Sequence, residues 1–153
     1  MCSGIEIMHE GKRTKVYFPN PKAALPARKQ GGGHVMLPWG ARGVEYALGP
    51  AAPEPARRKW PQGGWARLES IEAGRWDTCS PLPARIPAFA YMEKDANEAR
   101  HWFDLEPGQF IQGLVAKLLG ERRIYVVTIP APPQFAQIHD RWPRIVSRVT
   151  ADE

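Results

Sequence analysis

Short apolar runs alternate along this chain with proline and glycine punctuation, and few of them keep a helical spacing. "TKVYFPNP" reads as a short strand stopped by a proline turn, with Val16 and Phe18 sharing one face. "KQGGGHVMLPWG" opens on a glycine turn and continues as a buried strand. "WARLESIEAGRW" fits two patterns: Leu68 and Ile71 sit at i, i+3 as in a helix, while Trp65, Arg67 and Glu69 alternate as in an extended segment. "ARIPAFAYMEK" reads as one strand, with Ile86, Ala88, Ala90 and Met92 on one face and Phe89, Tyr91 and Glu93 on the other. "HWFDL", "QFIQGLVAKLL" and "RRIYVVTI" add further strands, "PPQFAQIHDRW" predicts a helical turn, and "RIVSRV" a last strand. The pattern predicts a single β-rich α+β domain over residues 1–153 with short helices. Residues 48–64 are poorest in apolar patterning, carry four prolines, and are expected to form an exposed basic loop.

Composition agrees with a globular domain. The 153 residues are 43% apolar and 24% charged, enough for one hydrophobic core. Sixteen prolines and fourteen glycines favour short elements joined by stiff turns. No apolar run approaches the roughly 20 residues of a membrane span. The first residues lack the apolar core of a secretory signal, so a cytoplasmic monomer that does not enter a membrane is expected. Cys2 and Cys79 form no CxxC pair, and His9, His34, His101 and His139 lack zinc-ligand spacing. Neither a metal nor a cofactor is expected.

Charge changes the picture. Residues 1–67 hold 11 Lys and Arg against 4 Asp and Glu, whereas the remainder holds 10 against 12. The basic part also contains Trp39, Trp60 and Trp65. Cations interleaved with aromatics suit a single-stranded nucleic acid, whose phosphates are neutralised while its bases stack. Composition alone equally fits a solvated basic surface over core tryptophans.

Three side chains carry candidate chemistry. Removal of Met1, favoured by the small side chain that follows, leaves Cys2 with a free α-amine beside its thiol. Such a residue condenses with an aldehyde to an imine and then closes to a thiazolidine. Its amine, with an ordinary pKa of about 7.7–8.0, is partly unprotonated at neutral pH. Glu93 follows an aromatic-rich run, where burial raises a carboxyl pKa toward general acid–base use. His139 titrates near neutrality, with Asp140 to orient its ring and Arg141 as a cation for a phosphate.

The order of these pieces resembles the SRAP family, the SOS-response-associated peptidases that act as abasic-site processing proteins. Here a terminal Met-Cys is followed by "PWG", "ARLES", "IPAFAYMEK", "FIQGL", a "YVVTI" strand and "IHDRWP". The family begins Met-Cys-Gly-Arg and closes with Ile-His-Asp-Arg-Met-Pro. The likeness runs from Cys2 to about Val146, and "IHDRWP" is its most specific part. The resemblance implies an SRAP-type fold that binds single-stranded DNA and joins covalently to abasic sites through the N-terminal cysteine, as a DNA–protein crosslink with peptidase-like chemistry. By position it implies Cys2, Glu93 and His139 as catalytic residues, and Trp39, Arg67 and Arg141 as DNA contacts. The chain departs from the pattern at Ser3 and Gly4, at Met92 and Lys94 beside the glutamate, and at Trp65, where the family has an asparagine beside the cysteine. Asn20 is a candidate to replace that amide. The other expectation these departures allow is a single-stranded nucleic-acid-binding module that has lost its chemistry.

Overall fold

The computed structural model describes residues 2–9, 11–17, 34–36, 45–48, 64–118 and 121–147. Most of the loop expected at 48–64 lies outside them, as do Asn20, Trp39 and Trp60. The described residues form a β-rich mixed α+β fold. Its strands are β1 (Cys2–His9), β2 (Lys12–Tyr17), β3 (His34–Met36), β4 (Glu45–Leu48), β5 (Trp65–Arg67) and β6 (Leu82–Ile86). They continue as β7 (Ala90–Lys94), β8 (Arg100–Asp104), β9 (Gln109–Leu118), β10 (Glu121–Pro130), β11 (Arg141–Pro143) and β12 (Ile145–Ser147). Among the described residues one short α-helix, α1 (Leu68–Glu72), joins them. "WARLESIEAGRW" therefore uses both of its patterns in turn, extended over Trp65–Arg67 and helical from Leu68.

Two sheets face each other. The smaller is antiparallel in the order β2-β1-β7-β8. Gly11, at φ 76°, turns the chain between β1 and β2, and Asp95 closes β7 onto β8 by accepting the Asn97 and Ala99 N–H groups on Oδ1. The larger sheet runs β12-β9-β10-β4-β3, with β6 also on β9 and β5 and β11 also on β10. Val126 pairs with Gly113 on one edge of β10 and with Trp65, in parallel, on the other. Toward its end β10 parts from β9. The segment Arg141–Ser147 fills that opening, β11 pairing with β10 and β12 with β9. Arg144 bridges the two, donating its N–H to Val127 and accepting from Gln112.

The "ARIPAFAYMEK" run is two strands rather than one. β6 pairs with β9 in the larger sheet and β7 with β1 in the smaller, and Pro87–Phe89 carry the chain across. Pro87 has no N–H to extend the β6 ladder, so pairing stops there. Phe89 then donates its N–H to Glu6 and accepts from Leu105, which starts the second sheet. The expected sharing of a face survives only within β7.

The core follows from alternation along β9 and β10. Ile111, Val115, Ile124 and Val126 point between the sheets and pack with Ile5, Ile7, Ile86, Tyr91 and Trp142. Leu114, Ala116, Tyr125 and Val127 point the other way, onto Trp76, Cys79 and the α1 residues Leu68 and Ile71. A strand covered on both faces reads as an unbroken apolar run, as "IYVV" does. Gly113 keeps its place because a Cβ there would lie 3.0 Å from Ile124 Cδ1 and 3.1 Å from Ile86.

Trp142 ties the two sheets together. Its indole Nε1–H donates to the Tyr91 hydroxyl at 3.0 Å, and its ring stacks on Phe135 with centroids 4.7 Å apart. Phe103 meets it edge-on at 5.1 Å. Trp142→Ala is expected to cost about 3–5 kcal/mol of unfolding free energy by urea titration, as removal of a buried Trp does. Leu82→Ala, at a side chain that is mostly exposed, is expected to stay within about 0.5 kcal/mol.

Candidate functional site

Cys2 and Glu93 are directly opposite each other on β1 and β7. Regular pairing runs from Glu6 back to Gly4, then shifts at a bulge before Cys2. The bulge re-aims the first residue of the strand, a common device beside functional groups. Both side chains are fully buried. Cys2 is thus the start of a core strand, with its Sγ donating weakly to the Gly4 carbonyl at 3.4 Å.

Burial governs the charge of both groups. Desolvation drives the Cys2 thiol well above its ordinary range, and the negative charge of Glu93 pushes it the same way. The resting sulfur is therefore a thiol, which needs a base before it can attack. Desolvation also raises the Glu93 carboxyl from 4.5 to about 7, against the pull of the positive amino terminus and a hydrogen bond with it. At neutral pH Glu93 is split between its acid and base forms, the condition for moving protons both ways.

His139 stands on the loop between β10 and β11. A tight turn at Pro133–Phe135 starts that loop, and Ala131 N–H to the Asp140 carbonyl closes it at 2.9 Å. Ile138 and Phe135 pack against the core cluster that contains Cys2, and Trp142 fixes the loop to Tyr91 on the Glu93 strand. Desolvation lowers the His139 pKa, and the positive amino terminus lowers it further against Asp140. The terminal charge is a cause of both the His139 and the Glu93 shifts. The Arg141 backbone N–H donates to His139 Nδ1 at 3.1 Å, while the exposed Asp140 carboxylate lies 2.9 Å from the same nitrogen. Accepting from Arg141 leaves the neutral ring's proton on Nε2; a protonated ring gives its Nδ1 proton to Asp140 instead.

The three expected DNA contacts fare differently. Trp39 is outside the described residues. Arg67, at the end of β5, is exposed. Arg141 is turned inward: its guanidinium pairs with Glu69 at 3.0 Å and donates to the Thr128 carbonyl and hydroxyl at 2.8 and 3.2 Å. Its charge joins α1 to the histidine loop, and its buried fork is occupied by the fold rather than offered to a phosphate. The "ARLES" and "IHDRWP" motifs are thereby linked through Glu69 and Arg141. The Trp142–Tyr91 bond and that ion pair escape sequence reading, because their partners lie 51 and 72 residues apart. Trp65, where the resemblance leads one to expect an asparagine, donates its indole N–H to the Cys2 carbonyl. Cys2 and Cys79 are free thiols in separate core clusters.

The chain matches no protein-family model, no curated protein and no solved structure.

The raised Glu93 pKa has a stability consequence with a definite sign. Between about pH 4.5 and 7 the folded protein keeps a proton that the unfolded chain has released. Stability conferred by this group therefore falls as pH rises through that window, by on the order of 3 kcal/mol in all. Glu93→Gln lacks the titrating proton. Urea unfolding at pH 5 and pH 8 is expected to show wild type losing stability relative to Glu93→Gln. Parallel behaviour of the two proteins would mean an ordinary carboxyl.

Proposed function

We propose that the protein is a short SRAP-type abasic-site processing protein, which captures an abasic site in single-stranded DNA through Cys2 once Met1 has been removed. The observation that carries this reading is the pairing of buried Cys2 with buried Glu93, a thiol opposite a carboxyl whose pKa is raised to about 7, with the Cys2 amine freed once Met1 is gone.

The chemistry balances without an oxidant. Neutral His139 takes the proton of the sugar C1 hydroxyl as the ring opens and returns it to the ring oxygen. The Cys2 amine adds to the exposed aldehyde carbon, and the carbonyl electrons move onto oxygen. Glu93 in its acid form protonates that oxygen, its carboxylate then relays a proton from the new ammonium nitrogen to the same oxygen, and the oxygen leaves as water to give the protonated imine. The resulting carboxylate takes the thiol proton and sulfur adds to the iminium carbon, which leaves a neutral ring nitrogen and restores the acid form of Glu93. The product is a thiazolidine and one water. Exposed Arg67 suits a flanking phosphate.

Mature protein incubated with a single-stranded oligonucleotide containing one abasic site is expected to give an adduct that survives denaturing electrophoresis. Cys2→Ala abolishes it. Salt-sensitive binding with no adduct from protein of confirmed mature mass would instead favour a binding module without chemistry. The reaction needs a free amine, with an ordinary pKa of about 7.7–8.0, and the acid form of Glu93, with a pKa of about 7. The capture rate is accordingly expected to peak between about pH 7 and 8. In Glu93→Gln the alkaline fall disappears and the rate is lower throughout. A profile still bell-shaped in that variant would remove Glu93 from the proton transfers.

A further inference from the structure

We propose that Trp65 is the positioning residue for Cys2: its indole N–H holds the Cys2 carbonyl and so fixes the direction of the α-amine and thiol. This inference rests on the capture reading above.

The β-bulge sets the Cys2 end of the strand apart. Regular pairing between β1 and β7 shifts between Gly4 and Cys2, so Cys2 faces Glu93 out of the register that holds Gly4 to Glu6. Cys2 is fully buried, and a buried carbonyl lacking a donor is costly. Trp65 Nε1 donates to it from a strand of the opposite sheet.

Trp65 is itself well held. It pairs in parallel with Val126 on β10, the preceding Gly64 carbonyl accepts the Val126 N–H at 2.9 Å, and its ring packs against the cluster containing Cys2, Ile5 and Val126. The consequence is sharpest for the mature chain. A terminal residue has no preceding peptide to define its orientation, so its carbonyl is the backbone handle left to hold. Anchoring that carbonyl to a rigid strand converts a fraying end into an oriented amine and thiol, the geometric condition for attack on a carbon held nearby. A phenylalanine at this position keeps most of the ring packing and loses only the donor.

The test uses single-turnover capture of an abasic oligonucleotide by mature wild type and Trp65→Phe, with thermal unfolding of both as a check on folding. Trp65→Phe is expected to lower the saturating rate constant about tenfold, the scale of one lost neutral hydrogen bond. The half-saturating DNA concentration should stay within about twofold. Independently of the variant, the Trp65 indole N–H of the mature wild-type protein, assigned through its nuclear Overhauser contacts to Cys2, is expected to exchange with solvent far more slowly than an exposed indole. Capture by Trp65→Phe at the wild-type rate, or rapid exchange of this proton, overturns the positioning role and leaves capture standing. A rise in half-saturating concentration at unchanged maximal rate overturns it too, by making Trp65 a DNA contact. Absence of any wild-type adduct overturns the capture reading, and this inference with it.

Discussion

The pairing of the first strand with β7 is the constraint on which the site depends. It inserts the beginning of the chain between β2 and β7 instead of leaving it at an edge, and it sets Cys2 opposite Glu93. Neither residue is reactive in isolation. A terminal cysteine in water samples many orientations, and a glutamate in water is fully ionised at neutral pH. Burial in one sheet removes both problems, because it orders the cysteine and weakens the acidity of the carboxyl.

The same burial has a chemical cost, and the surrounding structure offsets it. Desolvation keeps the Cys2 sulfur protonated, so in the proposed capture the first attack belongs to the amine and the sulfur acts only after a base is available. In that proposal Glu93 becomes the base after it has given up its own proton. Around this pair the rigid supports are aromatic and ionic. Trp142, Tyr91, Phe103 and Phe135 lock the histidine loop to the Glu93 strand, while Arg141 locks it to α1 through Glu69. The residues flanking His139 are thus mostly scaffolding: Ile138 and Trp142 face the core, Arg141 faces Glu69, and Asp140 alone is left in solvent.

Local patterning disclosed most of the strands because their apolar periodicity is set by a sheet with one or two covered faces. "RRIYVVTI" and "QFIQGLVAKLL" are examples, and both are long central strands. The pattern failed at Pro87, where the alternation of small and large residues continues although the hydrogen-bonding partner changes from β9 to β1. Periodicity reports which face is buried and not which sheet buries it. For the candidate site, motif order singled out Cys2, Glu93 and His139, while the pairing of Cys2 with Glu93 across β1 and β7 lay beyond sequence reading. Arg141 shows the limit most clearly: a cation beside a histidine reads as a phosphate contact until Glu69 and Thr128 occupy it. Trp65 shows the converse: a tryptophan that composition reads as core or stacking surface uses its indole N–H to bond the Cys2 carbonyl.

The central claim is that the amine and thiol of Cys2 together receive the sugar carbon, and tandem mass spectrometry of a nuclease-trimmed adduct tests it most directly. After trypsin, the account predicts that the sugar remnant lies on the peptide beginning at Cys2, at the mass of condensation with loss of one water and with the thiol no longer open to alkylation. A remnant on a lysine side chain, or on the amine with the thiol still alkylatable, would contradict it.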